Sequence, residues 1–184
     1  MDMYGMELCV NNSWSGAYAS LHTPNVNSNV DRDGSVSSGV IRANYLAKPD
    51  GTAPDYIVIY IGINDLNNGS VTDDAVCEAY MEILNIVSAK YPQAKVFCIN
   101  LPNRTEGYDP SAINEGIQKA IDEHDGAYLV DLYNSHYSGE KYKYNSSNSS
   151  KNTDNLHPNA LGMDFMTALI SEAMEAAILE GYTR

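Results

Sequence analysis

Two short stretches carry side chains whose types and spacing could do chemistry. Asp154-Asn155-Leu156-His157-Pro158 sets a carboxylate three residues before an imidazole. Histidine is the side chain best suited to moving a proton near neutral pH, and a carboxylate can hold its second ring nitrogen in the working tautomer. The alternative is structural: Asp154 or Asn155 caps the helix that follows and His157 packs. By itself the motif fits either. The second stretch, Tyr60-Ile61-Gly62-Ile63-Asn64-Asp65-Leu66, follows the apolar run that ends at Ile59. An amide just past a buried strand points to a ligand cleft, because ligands of open α/β sheets lie at the carboxyl ends of the strands. A Gly-Asn-Asp turn leading into a helix accounts for the same residues equally well.

Such groups need elements to position them, and the chain alternates strand and helix patterns. Glu7 to Val10 is a short strand candidate, followed by the polar turn Asn11-Asn12-Ser13-Trp14-Ser15-Gly16. Residues 20–35, rich in Asn, Ser, Asp and Gly, read as a loop. A helix is predicted from about Ser38 to Ala47, stopped by Lys48-Pro49-Asp50-Gly51. Tyr56 to Ile61 is the strongest strand, a continuous β-branched and aromatic run of the kind buried on both faces. Thr72 can cap a helix to about Lys90 with Val76, Tyr80, Ile83, Leu84 and Val87 on one stripe. Lys95 to Leu101 is the next strand, and Pro110 opens a helix with the stripe Ile113, Ile117, Ala120 and Ile121. Ala127 to Leu132 is a further strand. Asn159 to Glu180 is a last helix with Leu161, Phe165, Leu169 and Ala173 on one face, ended by Gly181. This order predicts an α/β fold, a parallel sheet with helices on both sides.

The 184 residues predict one domain over 1–184. A formal net charge of −13 repels phosphate backbones and anionic membranes, so nucleic acid is excluded as a partner. No stretch approaches the ~20 apolar residues of a membrane span. The residues Met1 to Val10 have neither a basic nor a long apolar region, so they are no signal peptide, and localisation stays open between secreted and cytoplasmic. Cys9, Cys77 and Cys98 are far apart and read as small core residues rather than ligands or a disulfide framework. His22, His124 and His136 lack paired metal-ligand spacing, and Asp31 and Asp33 lack that of a calcium loop. No metal or cofactor is expected. Tyr142 to Asn152, nearly pure Ser, Asn, Lys and Tyr, reads as a flexible loop, and Tyr137, Tyr142 and Tyr144 read as its solvated aromatics.

Together the motifs resemble a family. Gly62-x-Asn64-Asp65 after a central strand and Asp154-x-x-His157-Pro158 before a C-terminal helix are similar to the third and fifth blocks of the SGNH hydrolases, also called GDSL lipases and esterases. The turn Asn11 to Gly16 is similar to their second block, a glycine loop after the second strand. The resemblance runs from about residue 7 to 180. It implies a three-layer α/β/α sandwich with a mostly parallel, flavodoxin-like sheet. It also implies an acylhydrolase, an esterase or lipase acting on O-acyl esters of a carbohydrate or lipid, with a small-molecule or glycan ester as its partner. Carried over residue by residue, His157 would be the general base and Asp154 its orienting carboxylate. Asn64 Nδ2 and the N–H of Gly16 would be two of three oxyanion donors, each worth a few kcal/mol in the transition state. Asp65 is read as bracing the turn.

The resemblance fails at one block. The family's Gly-Asp-Ser, which closes the first strand and supplies the nucleophile, has no counterpart among the fifteen residues before Gly16. Met1 to Met6 reads as the tail of the helix that follows that strand. The first strand is therefore expected to be missing, no nucleophile is identified, and residues 1–184 are expected to be inactive alone. Ser13 or Ser15 as a relocated nucleophile is disfavoured, since their loop supplies an oxyanion donor. The alternative is a non-catalytic remnant acting as a binding or oligomeric protein. In a sheet of order 2-1-3-4-5 the missing strand leaves a gap beside Tyr56 to Ile61. That gap is expected to be closed by Glu7–Val10 moving inward or by a strand from a second copy in a homo-oligomer.

Overall fold

The computed structural model describes residues 5–20, 38–48, 50–66, 71–102, 109–135 and 157–182. Asp154, and the tyrosine-rich and 21–35 loop expectations with His22, Asp31, Asp33 and His136, lie outside the described residues. Strands β1 (Tyr56–Ile59), β2 (Lys95–Ile99) and β3 (Ala127–Val130) form one parallel sheet in the order β1-β2-β3. The register pairs Ile57 with Val96 and Val96 with Ala127. Helices alternate with them: α1 (Gly39–Tyr45), the short α2 (Ile63–Leu66), α3 (Asp73–Lys90), α4 (Ser111–Asp122) and α5 (Ala160–Tyr182).

The period-two alternation of β2 divides the core. Val96 and Cys98 point to one face and pack with Val76, Tyr80, Leu84, Ile113 and Ile117 of α3 and α4. Phe97 and Ile99 point to the other and pack with Val130, Leu132, Met166 and Ala177. Helices thus cover both faces, and the result is the expected three-layer α/β/α arrangement. Capping sets the helix starts: Ser38 Oγ accepts from Ile41 N, and Thr72 Oγ1 from Ala75 N. Cys98 is fully buried, and burial pushes its thiol up to about 12.

Several expectations are corrected. Glu7 to Val10 forms no strand, and Leu8 is exposed; among the described residues this four-residue run has no strand beside it and so no ladder to join. Among the described residues β1 pairs with β2 alone, so the 7–10 segment does not fill the place beside it. Val58 on that strand is 43% exposed, and Tyr60 just past it is 41% exposed, where burial on both faces was expected of the Tyr56–Ile61 run. On α5 the expected stripe holds at Phe165, Leu169 and Ala173, half-buried beside the buried Met166 and Ala177, but Leu161 departs from it at 54% exposure. Gly181 does not stop α5, which runs on to Tyr182.

Candidate functional site

The carboxyl end of β1 turns sharply. Gly62 has φ +125°, a region open to glycine, and a Cβ there would lie 3.1 Å from Ile113 Cγ2. The next four residues form α2, closed by Leu66 N donating to Gly62 O at 3.1 Å. From below, the buried Tyr80 of α3 donates its hydroxyl to Ile61 O at 2.7 Å. Asn64 and Asp65 are therefore held on a short, rigid turn at the strand end.

Both side chains reach a segment more than forty positions upstream. Asn64 Nδ2 donates to Ala17 O at 2.8 Å. Asp65 is fully buried, accepting from Ala19 N at 2.7 Å on one carboxylate oxygen, and from Ser20 N at 3.1 Å and Ser20 Oγ at 2.8 Å on the other. Burial pushes its carboxyl above the usual range, and the bonds from Ala19 and Ser20 lower it only in part. The bracing role expected of Asp65 thus extends to a remote segment.

Gly16 lies just before this clamp. It has φ +81°, and Ala17 N donates to Trp14 O at 3.3 Å, so Gly16 occupies the turn position that needs a left-handed residue. The loop is also pinned from α1. Arg42 Nε donates to Asn12 O at 3.2 Å, Asn12 Nδ2 to Arg42 O at 2.8 Å, and the guanidinium sits 5.0 Å over the Trp14 ring. Ser13 N donates to Asn11 Oδ1 at 3.0 Å, the local turn bond of an Asx side chain. Gly16 and Asn64 are accordingly brought together through Ala17.

His157 is exposed and precedes α5 by three residues. The helix has its own cap, since Asn159 Oδ1 accepts from Gly162 N at 2.9 Å. Capping by Asp154 or Asn155 is thus not needed to start it. Its direction is fixed at the other end, where Lys95 Nζ, at the amino end of β2, donates to Ala177 O at 3.1 Å. The carboxyl-terminal part of α5 thus lies beside the amino end of β2. Neighbouring strands are ~4.8 Å apart, which puts the three strand ends within ~10 Å of one another laterally.

That edge is braced further. Asn100 is buried; its amide donates to Asp131 Oδ1 at 2.8 Å and its oxygen accepts from Tyr133 N at 2.8 Å. Asn114 holds Leu101 through both its backbone N and O. None of these long-range bonds has a periodicity that a sequence would display. The Asn64 amide is thus bonded to the residue that follows Gly16.

The GDSL-like lipase/acylhydrolase family matches residues 3–165. Among solved structures, a carbohydrate esterase family 3 protein from Talaromyces cellulolyticus matches with a TM-score of 0.59 and 18% identity, over 80% of this chain and 73% of its own. A mutant acetyl esterase holding an acetate ion also gives 0.59 and 18%, over 82% and 75%. A carbohydrate esterase family 2 enzyme with a carbohydrate-binding domain, from Corynascus thermopiles (Myceliophthora fergusii), gives 0.53 and 22%, over 71% and 39%. No curated protein matches. At these identities the neighbours share the fold, and the sequence match supplies the rest: the chain belongs to the GDSL-like lipase/acylhydrolase family.

Proposed function

We propose that residues 1–184 carry the oxyanion-binding and acid–base half of a serine ester hydrolase site directed at an O-acyl ester of a carbohydrate. One observation carries the reading: the bond from Asn64 Nδ2 to Ala17 O joins two segments, far apart in sequence, that each offer an oxyanion donor. A primary amide has two N–H groups, so the bond to Ala17 leaves a second for substrate. In this reading that N–H and the N–H of Gly16 receive the developing oxyanion. His157 takes a proton from the attacking hydroxyl and returns it to the leaving alkoxide, and Asp154 orients His157. Neighbours in fold that include two carbohydrate esterases and an acetyl esterase with an acetate ion favour a sugar ester with a short acyl group over a lipid.

Residues 1–184 contain no Gly-Asp-Ser, and the reading assigns no nucleophile among them. Losing a triad member leaves only ~10³–10⁴-fold acceleration over water. Purified residues 1–184 should therefore give no His157-dependent turnover of nitrophenyl acetate. Extending the chain with a strand–helix segment bearing Gly-Asp-Ser, taken from a family esterase, should produce turnover that His157→Ala abolishes. An extended chain that folds but stays silent, or one indifferent to His157→Ala, would overturn the proposal.

The second reading is a non-catalytic protein that assembles through β1. It is favoured by the exposure of Val58 on β1, which pairs on one side among the described residues, and of Tyr60 just past its end. Sedimentation distinguishes the two: a concentration-dependent dimer lost on Val58→Lys supports assembly, and a monomer at all concentrations excludes it.

A further inference from the structure

We infer that Asp65 is a positioning residue, a buried carboxylate that holds Ala19 and Ser20 and thereby sets where Gly16 stands relative to the Asn64 amide. The inference rests on the oxyanion reading of Gly16 and Asn64 and deepens it. Its basis is a paired grip from adjacent residues. Asn64 donates to the carbonyl of Ala17, while Asp65 accepts from the amides of Ala19 and Ser20 and from the Ser20 hydroxyl. One turn thus holds both the acceptor and the donor groups of a single four-residue stretch.

The chemistry of the site needs such a grip. An oxyanion donor works only when fixed in advance at the place where charge develops, and a displacement of about 1 Å can lower a rate 10²-fold. Gly16 is exposed, and its glycine backbone is permissive, so its own residue does little to fix it. The rigidity has to come from the neighbouring residues. Ala19 and Ser20 are buried, and Ala19 packs in the core with Val40 and Ile83. A carboxylate is the side chain that can accept three such bonds on both of its oxygens; an amide has one acceptor oxygen, so whichever way it is turned its NH2 faces a backbone N–H of Ala19 or Ser20. Asp65→Asn keeps the size and breaks the match.

The test uses ¹⁵N-labelled residues 1–184 with acetate as the probe. Wild type should show acetate-dependent shifts at Gly16 N–H and the Asn64 side-chain amide. Asp65→Asn should speed hydrogen exchange at Ala19 and Ser20 and weaken acetate binding about tenfold or more. Ser20→Ala, which removes one of the three bonds, should lie between and decides the matter if Asp65→Asn fails to fold. Val87→Ala, a core truncation in α3, should lower stability and leave acetate affinity unchanged. Unchanged exchange in Asp65→Asn overturns the clamp. Faster exchange with unchanged acetate affinity reduces Asp65 to a merely structural residue and overturns the positioning role. If wild type gives no shift at Gly16 and Asn64, the oxyanion reading fails, the positioning role falls with it, and exchange alone decides the clamp.

Discussion

Tyr80, fully buried in α3, donates its hydroxyl to the carbonyl of Ile61 at 2.7 Å, one residue before the Gly62 turn. A helix on one face of the sheet thereby supports the strand end that bears Asn64. Burial raises the phenol well above its usual range, so it stays a neutral donor. Tyr80→Phe keeps the ring and leaves the Ile61 oxygen without this partner, which should lower the unfolding free energy by about 1–3 kcal/mol. Urea denaturation measures it; a change within error would contradict the bond's importance.

Gly116 sets how closely α4 approaches α3. A Cβ at this position would meet the Asp73 carbonyl and lie 2.8 Å from Val76 Cβ. Helix propensity favours alanine over glycine by up to about 1 kcal/mol. Overpacking against a neighbouring backbone costs about 1–3 kcal/mol and wins. Gly116→Ala should be net destabilising in a denaturant titration, and a stabilised variant would show that the two helices can part freely.

Asp65 gives a pH dependence with a definite sign. Its folded carboxyl titrates above its unfolded value, so between the two the folded state holds more protons and stability falls as pH rises. Above the folded value the penalty is constant. Burial also opposes ionisation of Asp131, but there the bonds from Asn100 and Asn134 win and hold the carboxyl low. Its contribution is present above the unfolded value and is lost as pH falls through the folded one. The carboxyl ¹³C signal of Asp65 should titrate above the ordinary aspartate value of about 3.9, and a midpoint at or below it would be contrary.

Trp14 is the sole tryptophan, so its fluorescence reports on the Gly16 loop alone. The Arg42 guanidinium covers one side of its ring. Arg42→Ala should raise acrylamide quenching of Trp14 while leaving the sheet intact by circular dichroism. Quenching equal to wild type would mean that the loop is held in place without Arg42.

Much of this scaffold was legible from residue patterns because the interactions that build it are local or periodic. Thr72 capped its helix as expected, and the stripe Ile113, Ile117 and Ala120 is buried as its spacing implied. The Glu7–Val10 error has the opposite origin: a strand exists only beside a partner, and an apolar tetrapeptide does not say where one is. The site was partly legible. Its motifs pointed to Gly16, Asn64 and His157, yet the grip of Asp65 on Ala19 and Ser20 spans 46 and 45 positions and leaves no local trace.

The central claim is that His157 faces Asn64 and Gly16 across the carboxyl edge of the sheet. A crystal structure of residues 1–184 soaked in acetate measures it most directly. The account predicts an acetate oxygen within about 3 Å of both Gly16 N and Asn64 Nδ2, with the His157 ring on the same side of the bound ion and Asp154 bonded to that ring. A His157 ring on the far side of the molecule from Asn64 would contradict it.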